Sequence, residues 1–379
     1  MVDVLIAGAG PAGAVAAIRL ARAGARVLLV DRARFPRDKL CGDTLNPGAL
    51  GILERLDVAG PIVRAGRPLD GMVVTSANGV AVCGPYGRGL TGVAIRRRTL
   101  DAQLVQAAID AGVQFQDGVR VIAPLVEGTG STSRVRGAIV QTSGQARLRI
   151  PASVTIAADG RRSALAFALA LAWQPACPRR WAIGACFSDV PGLGRFGEMH
   201  IRDGYYVGVS PIGDGVANVC LVSPAGGGFA APASLLESRL TTDPLLRDRF
   251  AGARRISEVS TLGPLAVEVR AAGVPGLLLA GDAAGFVDPM TGDGLRLAMR
   301  GAELAAEAAL GWLESPARDQ VSWLEAARRR EFGVKLRVNR LLRRFVASPR
   351  AVRMAAAGAR VAPGMLRSVI RYAGDVGAA

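Results

Sequence analysis

Short apolar runs alternate with a glycine-rich turn and an alanine-rich segment at the start of the chain. Val2 to Ala7 is apolar apart from Asp3, which is typical of a strand buried in a parallel sheet. Glycines follow, then an Ala-rich segment of helical character that ends near Gly24, and then a second apolar run, 26–30. The pattern predicts a β-α-β unit at the N-terminus.

The turn between the first strand and the helix carries glycines at the spacing G-x-G-x-x-G. Gly8 allows a tight turn, Gly10 lets the backbone approach a pyrophosphate, and Gly13 lets helix and strand pack closely. The helix N-terminus presents free N–H groups to phosphates. Asp31, at the end of the second strand, is placed to accept hydrogen bonds from a ribose. A dinucleotide site is therefore predicted here.

The same glycine spacing recurs at Gly192–Gly197 without this context. The preceding residues, 188–191, do not have the pattern of a strand, and no helical run follows. We predict no nucleotide site at this second match, because a lone G-x-G-x-x-G is a weak signal.

Two later strands also end at an aspartate. The run 154–158 is followed by Asp159-Gly160, and the run 277–280 by Gly281-Asp282 and then a helix from about Leu295 to Leu313. Ligands bind at the carboxyl edge of open parallel sheets. Either aspartate alone could be a turn or N-cap residue, but three such strand ends in one chain favour a shared ligand.

The middle of the chain has a different pattern. Tyr205–Ser210 and Val216–Val222 are strand-like runs joined by a Gly-rich turn, which predicts an antiparallel sheet. The predicted fold class is α/β, with a Rossmann-like nucleotide-binding domain, an inserted and mainly antiparallel substrate domain, and a C-terminal helical segment. The predicted boundaries are 1–70, 95–170 and 270–312 for the first domain, 71–94 and 171–269 for the second, and 313–379 for the segment.

Composition narrows the chemistry. The 379 residues are 50% apolar and 21% charged, which is typical of a globular protein. The single histidine, His200, argues against His-rich metal sites and Ser-His-Asp catalysis, and the five cysteines form no C-x-x-C pair, so no metal site is predicted. The irregular spacing of the cysteines is typical of reduced thiols. The start of the chain lacks a basic signal region, and no apolar run is long enough to span a bilayer. These features predict a cytoplasmic protein.

The net charge of +16 is concentrated near the C-terminus. Residues 328–371 contain thirteen Lys or Arg against one acid, Glu331. A helical wheel places one set of residues on an apolar face, namely Val334, Val338, Leu341, Leu342 and Phe345, and another set on a basic face, namely Arg329, Arg330, Arg337, Arg340, Arg343 and Arg344. Such a helix could contact an anionic membrane peripherally, or pack on the domain with a solvated basic face. Specific nucleic-acid binding is not predicted, since aromatic residues are few.

Taken together, the motifs resemble a known family. Gly8–Gly13, Asp159-Gly160 and Gly281-Asp282 are similar to the three fingerprints of FAD-dependent oxidoreductases of the geranylgeranyl reductase and para-hydroxybenzoate hydroxylase-like group A flavin monooxygenase superfamily. Phe35–Asp43 resembles the K-x-C-G loop of the geranylgeranyl reductase branch. Ile95–Asp101 resembles the family's R-x-x-L-D segment.

The resemblance implies FAD as cofactor, NAD(P)H as reductant and an apolar small-molecule substrate. It implies that Gly8, Gly10 and Gly13 hold the pyrophosphate, Asp31 the adenosine ribose and Asp282 the ribityl chain. The other implied cofactor contacts are Pro11, Ala12, Arg32, Cys41, Gly42, Arg97, Asp159, Gly160, Gly281, Pro289, Gly292, Gly294 and Leu295. Cys41, which could also be a buried structural cysteine, and Tyr206 are the candidate catalytic residues.

The chain departs from the reductase pattern at one motif. Where geranylgeranyl reductases carry Y-x-W-x-F-P, this chain has Tyr206 and Pro211 but Gly208 and Ser210 in place of Trp and Phe. The wider pocket favours an NAD(P)H-dependent monooxygenase that hydroxylates or epoxidises an aromatic, polyketide-like or isoprenoid substrate. The alternative is a reductase of C=C bonds in a prenyl or lipid chain. A flavoprotein without turnover and an NAD-only dehydrogenase are weaker alternatives, and the halogenase signatures are absent.

Overall fold

The computed structural model describes residues 2–77, 79–87, 89–142, 144, 146–177, 179–224, 227–346, 348, 364, 368, 371 and 372. In chain order the strands are β1 (Val2–Ala7), β2 (Val27–Val30), β3 (Thr44–Leu45), β4 (Arg67–Leu69), β5 (Gly71–Ser76), β6 (Ala81–Pro85), β7 (Gly92–Ala94), β8 (Gln114–Gln116), β9 (Arg120–Glu127), β10 (Arg134–Gln141), β11 (Arg147–Ala157), β12 (Ala172–Trp173), β13 (Arg180–Ser188), β14 (Phe196–Ile201), β15 (Tyr206–Gly213), β16 (Val216–Pro224), β17 (Arg254–Arg255), β18 (Ser260–Leu262), β19 (Glu268–Val269), β20 (Gly273–Val274) and β21 (Leu277–Leu279). The helices are α1 (Pro11–Arg22), α2 (Pro47–Arg55), α3 (Ala59–Ala65), α4 (Arg97–Asp110), α5 (Ala164–Ala168), α6 (Pro232–Thr242), α7 (Arg247–Phe250), α8 (Gly294–Glu314) and α9 (Gln320–Val346).

The N-terminal β-α-β unit forms the centre of a mainly parallel sheet. Its order is β20-β21-β11-β1-β2-β8, and β1 pairs in parallel with both β2 and β11. β2 is fully buried, as its apolar run predicts. The three predicted strand ends, those of β1, β11 and β21, therefore lie side by side at one edge of this sheet.

The two faces of the parallel sheet are covered differently. On one face an apolar core joins the sheet to α1, α4, α8 and the start of α9. On the other face a second core joins it to α5 and to the antiparallel strands β9 and β10, which extend from β11. The result is a three-layer domain whose parallel sheet agrees with the predicted Rossmann-like fold.

A second sheet covers the carboxyl edge of the first. Its order is β17-β13-β16-β15-β14-β5-β6, with β18 paired to β13. It is antiparallel except for the pairing of β14 with β5. One face packs on α6 and α7, and the other presents apolar side chains towards the nucleotide-binding domain. This arrangement confirms the predicted fold class.

The region 71–94, which we assigned to the substrate domain, divides between two sheets. β5 and β6 belong to the large antiparallel sheet. β7 instead pairs with β3 and β4 in a small three-stranded sheet. A short strand with no alternating pattern does not reveal its partners, because pairing depends on tertiary contacts.

The orientation predicted for the C-terminal helix is wrong. The face of α9 turned towards the domain carries Phe332 together with the polar residues Lys335, Asn339 and Arg343, all buried. Val334 and Leu341, which the helical wheel placed on the apolar face, are 60% and 66% exposed. The polar residues can be buried because acidic partners face them from the domain. The side chain of Phe345 and most of the basic segment after residue 346 lie outside the described residues.

The most apolar uncharged run near mid-chain does not form a long helix. The apolar run 163–174 forms only the short helix α5 and the two-residue strand β12. Among the described residues no helix is both long enough and apolar enough to cross a bilayer.

Candidate functional site

The glycine turn after β1 is held in a conformation that side chains would prevent. Gly8 has φ +96°, and a Cβ there would lie 2.5 Å from the carbonyl oxygen of Ala158. A Cβ on Gly13 would lie 1.8 Å from the carbonyl oxygen of Gly8. At Gly10 the nearest atoms to a Cβ would be guanidinium nitrogens, at 3.6 Å and 3.8 Å. Two of the glycines therefore serve close packing, and the third leaves room in front of a helix N-terminus.

The guanidinium groups beside Gly10 belong to Arg37 and Arg97. Arg97 donates two hydrogen bonds of 2.7 Å to the fully buried carboxylate of Asp101, and Arg37 contacts the same carboxylate at 2.9 Å. Burial opposes the charge of Arg97, but the Asp101 carboxylate and the Cys41 side chain together raise the pKa of Arg97. Two cations fixed at a helix N-terminus suit a pyrophosphate. Arg37 was missed from the sequence, although it lies in the segment that resembles the K-x-C-G loop.

Several predicted cofactor contacts, including the predicted ribose contact Asp31, lie on the other side of the glycine turn. Asp31, Arg32 and Asp159 line a small cavity together with Gly8. Asp31 accepts hydrogen bonds from the backbone N–H groups of Ala9 (2.8 Å) and Ala33 (2.9 Å). One carboxylate oxygen of Asp159 is buried without a hydrogen-bond partner, and burial raises the pKa of this carboxyl. A ligand hydroxyl could satisfy that oxygen.

The larger predicted set meets in one cavity between the two sheets. Its walls include Lys39 and Arg161, which were not predicted. They also include most of the predicted residues, namely Gly10, Pro11, Ala12, Cys41, Gly42, Arg97, Gly160, Tyr206, Gly281, Asp282, Pro289, Gly292, Gly294 and Leu295. Of the predicted cofactor contacts, Gly13 lines neither cavity and instead packs against the turn.

Arg161 connects the two domains across this cavity. It donates to the carbonyl oxygens of Pro264 and Leu265, both at 3.2 Å, and lies 3.9 Å from the carboxylate of Asp282. Its guanidinium also lies over the ring of Phe286. Its position directly after Asp159-Gly160 is the signal that could have identified it.

The loop that carries Cys41 is fastened to the antiparallel sheet. The carbonyl oxygen of Cys41 accepts hydrogen bonds from the amide of Asn218 (2.7 Å) and the thiol of Cys220 (3.0 Å), both on β16. Burial raises the pKa of the Cys41 thiol, although Arg97 opposes the shift. Cys41 is therefore a protonated thiol on the cavity wall at neutral pH, and not a thiolate nucleophile.

Tyr206 is held by a buried acid. Its hydroxyl donates a 2.6 Å hydrogen bond to Asp288, which also contacts Arg180 at 3.5 Å. Asp288 accepts from the backbone N–H of Met290 as well, so the antiparallel sheet is tied to the turn at Pro289. Burial and the Asp288 carboxylate raise the pKa of Tyr206 well above its usual value. The hydroxyl is thus neutral and fixed in direction.

The N-terminus of α8 is supported from behind by α9. Asp293, the residue before α8, is 2% exposed. Its carboxylate accepts from Thr291 (2.7 Å) and Asn339 (3.1 Å) and lies 3.4 Å from the ammonium of Lys335. These contacts hold the 288–294 segment and the first turn of α8 against the cavity. They explain why polar residues of α9 are buried.

Asp43, below the Cys41 loop, should make stability depend on pH. It is 7% exposed, and burial raises the pKa of its carboxyl from 3.8 to about 7. The unfolded chain loses this proton at lower pH than the folded protein does, so stability falls as the pH rises from about 4 to about 7, by up to about 4 kcal/mol. Asp43→Asn should be more stable than the parent protein near pH 8 and nearly equal to it near pH 4, as measured by urea unfolding. An equal stability difference at both pH values would contradict this assignment.

A metal centre is not formed by the described part of the chain. No group of three or more His, Cys, Asp or Glu side chains there could hold a metal ion. His200 is buried in the antiparallel sheet, where its ring nitrogens lie 2.9 Å from Thr75 and 2.9 Å from Glu198. It serves the packing of that sheet.

The two cavities fit an elongated dinucleotide with a flat ring at one end. The glycine turn separates them, with cations at its centre and acids on the smaller side. The unpartnered oxygen of Asp159 and the open space at Gly10 are the features that a bound FAD would satisfy. The residues present therefore fit this cofactor.

Comparison with known families and proteins gives a consistent result. A family model described as an FAD-binding domain matches residues 1–183. The menaquinone reductase of Mycolicibacterium smegmatis is 31% identical over 322 residues, which cover 80% of this chain and 75% of that protein. The digeranylgeranylglycerophospholipid reductase of Methanosarcina mazei is 29% identical over 323 residues, which cover 81% and 74%.

Solved structures share the fold. A triple mutant of the flavin-dependent brominase Bmp2 superposes with a TM-score of 0.84 at 20% identity, covering 99% of this chain and 94% of that one. A geranylgeranyl bacteriochlorophyll reductase-like protein from Thermoplasma acidophilum superposes with a TM-score of 0.81 at 21% identity, covering 93% and 89%. At such identities the similarity concerns the architecture alone.

Proposed function

The chain belongs to the FAD-dependent oxidoreductases of the geranylgeranyl reductase and para-hydroxybenzoate hydroxylase-like superfamily, and from this we propose that it reduces C=C bonds in a prenyl chain, with NAD(P)H as the source of electrons. The observation that carries the proposal is the position of Cys41 on the wall of the cavity between the two sheets, where the predicted cofactor contacts meet apolar side chains of the antiparallel sheet. The names of the relatives, menaquinone reductase and digeranylgeranylglycerophospholipid reductase, support a prenylated substrate class.

The cofactor-binding residues have distinct tasks. Arg37 and Arg97 would neutralise the pyrophosphate in front of α1, and Asp31 and Asp159 would accept from ribose hydroxyls. Asp282 would accept from the ribityl chain. Bound FAD supplies the two-electron redox chemistry, and the N-terminus of α8 would favour the negative charge that accompanies reduction.

The part of the cavity under the antiparallel sheet suits a hydrocarbon substrate. Apolar side chains of the antiparallel sheet and of the segment after β18 line it. They are Ala182 on β13, Met199 on β14, Val222 on β16, Leu262 on β18 and Leu265 after β18. An isoprenoid chain can replace water on these side chains at a gain of about 25 cal/mol per Å² of buried apolar surface. No charge is needed from the substrate here.

Saturation of a C=C bond needs a hydride at one carbon and a proton at the other. Cys41 can donate that proton, because burial keeps its thiol protonated at neutral pH. Tyr206 directs its own proton to Asp288, so we assign it to orienting the chain and closing the cavity. The thiolate left on Cys41 would be stabilised by Arg97 until a proton returns from solvent.

Cys41→Ala tests this assignment. In anaerobic single-turnover experiments with a prenylated quinone or phospholipid, reoxidation of the reduced enzyme should slow about 100-fold or more. Reduction by NAD(P)H should be unchanged, because that step does not need the thiol. Cys83→Ala, which removes an exposed cysteine on β6, is the matched control. Equal reoxidation rates in both variants would remove Cys41 from the reaction.

A second candidate function rests on Gly208. This residue lines the cavity, and a Cβ there would have no neighbour closer than 3.9 Å. The space could admit a bulkier substrate for an NAD(P)H-dependent monooxygenase. The two functions differ in one measurement: the reductase product gains two hydrogen atoms without oxygen, whereas the monooxygenase consumes O₂ and its product gains an oxygen atom. Product formation only in air would favour the monooxygenase.

A further inference from the structure

The outward face of α9 is the largest feature that the proposed function does not use. We propose that this face docks onto an anionic phospholipid bilayer. The proposal does not depend on the reaction, since vesicle binding can be measured without turnover. It combines Val334 and Leu341 with Arg330, Arg337 and Arg344, which the helical wheel had assigned to two separate faces, because the orientation of α9 is known.

Three exposed apolar side chains form a line along the helix. Trp323 is 42% exposed, Val334 60% and Leu341 66%. Their spacings of eleven and seven residues are close to whole numbers of helical turns, so all three project from one side of α9. Trp and Leu at the polar–apolar boundary are typical of helices that lie in a membrane interface.

Exposed arginines lie along the same line. Arg330, Arg337 and Arg344 repeat every seven residues and are all exposed. None of them forms an ion pair with a described residue, although Arg337 donates to the carbonyl oxygen of Gly333. Cationic side chains without acidic partners are attracted to anionic headgroups. Their stems also extend along apolar surface.

The opposite side of α9 fixes this face in space. Leu324, Ala327 and Phe332 pack into the core of the nucleotide-binding domain, and Lys335 is buried against Asp293. The outward line therefore cannot turn inward without breaking buried contacts. The apolar residues remain exposed in the folded protein and are available to a partner.

A bilayer explains both kinds of side chain. A second copy of the chain would place two arginine-rich faces together, which is repulsive. A nucleic acid would be attracted to the arginines but would gain little from Val334 and Leu341, which cannot stack on bases. A lipid surface receives the apolar side chains among the acyl chains and the guanidinium groups among the phosphates.

A third cavity lies on the inward side of α9. It has a volume of about 340 Å³ and lies between α9 and the segments 267–272 and 281–288. Gly333 and the exposed Arg340, on the neighbouring side of α9, are part of its wall. Its other α9 residues include the buried Phe332, Asn339 and Arg343, so this cavity belongs to the inward side of the helix and is separate from the proposed docking face.

Co-sedimentation of the full-length holoprotein with vesicles tests the proposal. We expect binding to vesicles that contain phosphatidylglycerol and much weaker binding to pure phosphatidylcholine vesicles. The triple variant Arg330→Gln, Arg337→Gln, Arg344→Gln should reduce the partition coefficient about 100-fold, because each interfacial arginine contributes several-fold. The triple variant Trp323→Ser, Val334→Ser, Leu341→Ser should also bind at least about tenfold more weakly.

The matched control removes three arginines from another exposed surface. Arg120, Arg147 and Arg149 are exposed on β9 and β11, and their replacement by Gln should leave vesicle binding nearly unchanged. Flavin content and thermal unfolding verify that each variant is folded. Equal losses in both arginine variants would mean diffuse attraction and would overturn the proposal. Absence of binding to phosphatidylglycerol vesicles would also overturn it. So would binding to RNA but not to vesicles, if the serine variant bound the RNA as well as the parent protein does.

Discussion

Gly13→Ala is expected to yield protein that holds no FAD and is poorly folded. The new Cβ would lie 1.8 Å from the carbonyl oxygen of Gly8, on a turn whose position is already limited by the contact of Gly8 with Ala158. The backbone would have to separate α1 from β1, which are both in the main core. The cost would be comparable with the net stability of a domain, about 5–15 kcal/mol. Flavin absorption per protein and the Tm measure both effects.

A glycine from the second G-x-G-x-x-G match is the control for this substitution. At Gly194 no atom lies within 4 Å of the position of a Cβ. Gly194→Ala should therefore keep its full flavin content and shift the Tm by no more than a few degrees. If Gly13→Ala purified with bound flavin, the glycine turn would not be the pyrophosphate site.

Arg97→Gln should have the second-largest effect. The buried carboxylate of Asp101 would lose both of its 2.7 Å hydrogen bonds from Arg97 and keep only the contact with Arg37. Breaking a buried ion pair costs about 3–5 kcal/mol of stability. Because Arg37 still contacts Asp101, we expect the free energy of unfolding to fall by an amount near the lower end of this range. FAD should bind about 100-fold more weakly or worse, since a cation beside the pyrophosphate is lost.

Substitution of Arg98, the next residue on α4, shows whether the effect of Arg97→Gln comes from the buried ion pair or merely from the loss of a positive charge on α4. Arg98 has a side chain that is 48% exposed, and its one ion pair with a described residue is to Asp38, an exposed acid. Arg98→Gln should change the free energy of unfolding by less than about 1 kcal/mol and leave the FAD dissociation constant nearly unchanged. Titration of the apoprotein with FAD and urea unfolding are the two measurements. Equal losses of FAD affinity in the two variants would indicate that only the overall charge of α4 matters.

Local sequence patterns are sufficient to predict the nucleotide-binding half of the molecule. β1, α1 and β2 follow from apolar runs around a glycine turn, because strand, turn and helix signals there are local and agree with one another. The same holds for the acids that follow β11 and β21. Their gathering at one sheet edge follows from parallel pairing, and the resemblance of the motifs was enough to indicate FAD.

Contacts between distant segments became visible only in the folded protein. Tyr206 and Asp288 are 82 residues apart, and no spacing indicates that one hydroxyl meets one carboxylate. Arg37 acquired a role only when the folded loop placed it beside Gly10.

The orientation of α9 shows the physical reason most clearly. Its wheel separates apolar from basic residues, yet the structure buries Lys335 and Asn339 and exposes Leu341. Amphipathic pattern predicts burial only when the facing surface is apolar. Here the facing surface carries Asp293, whose buried carboxylate needs hydrogen-bond and charge partners. Burying Lys335 and Asn339 against this carboxylate costs less free energy than burying the carboxylate without partners. Local pattern therefore determined which elements form, and the complementary charges of distant elements decided which of their faces meet.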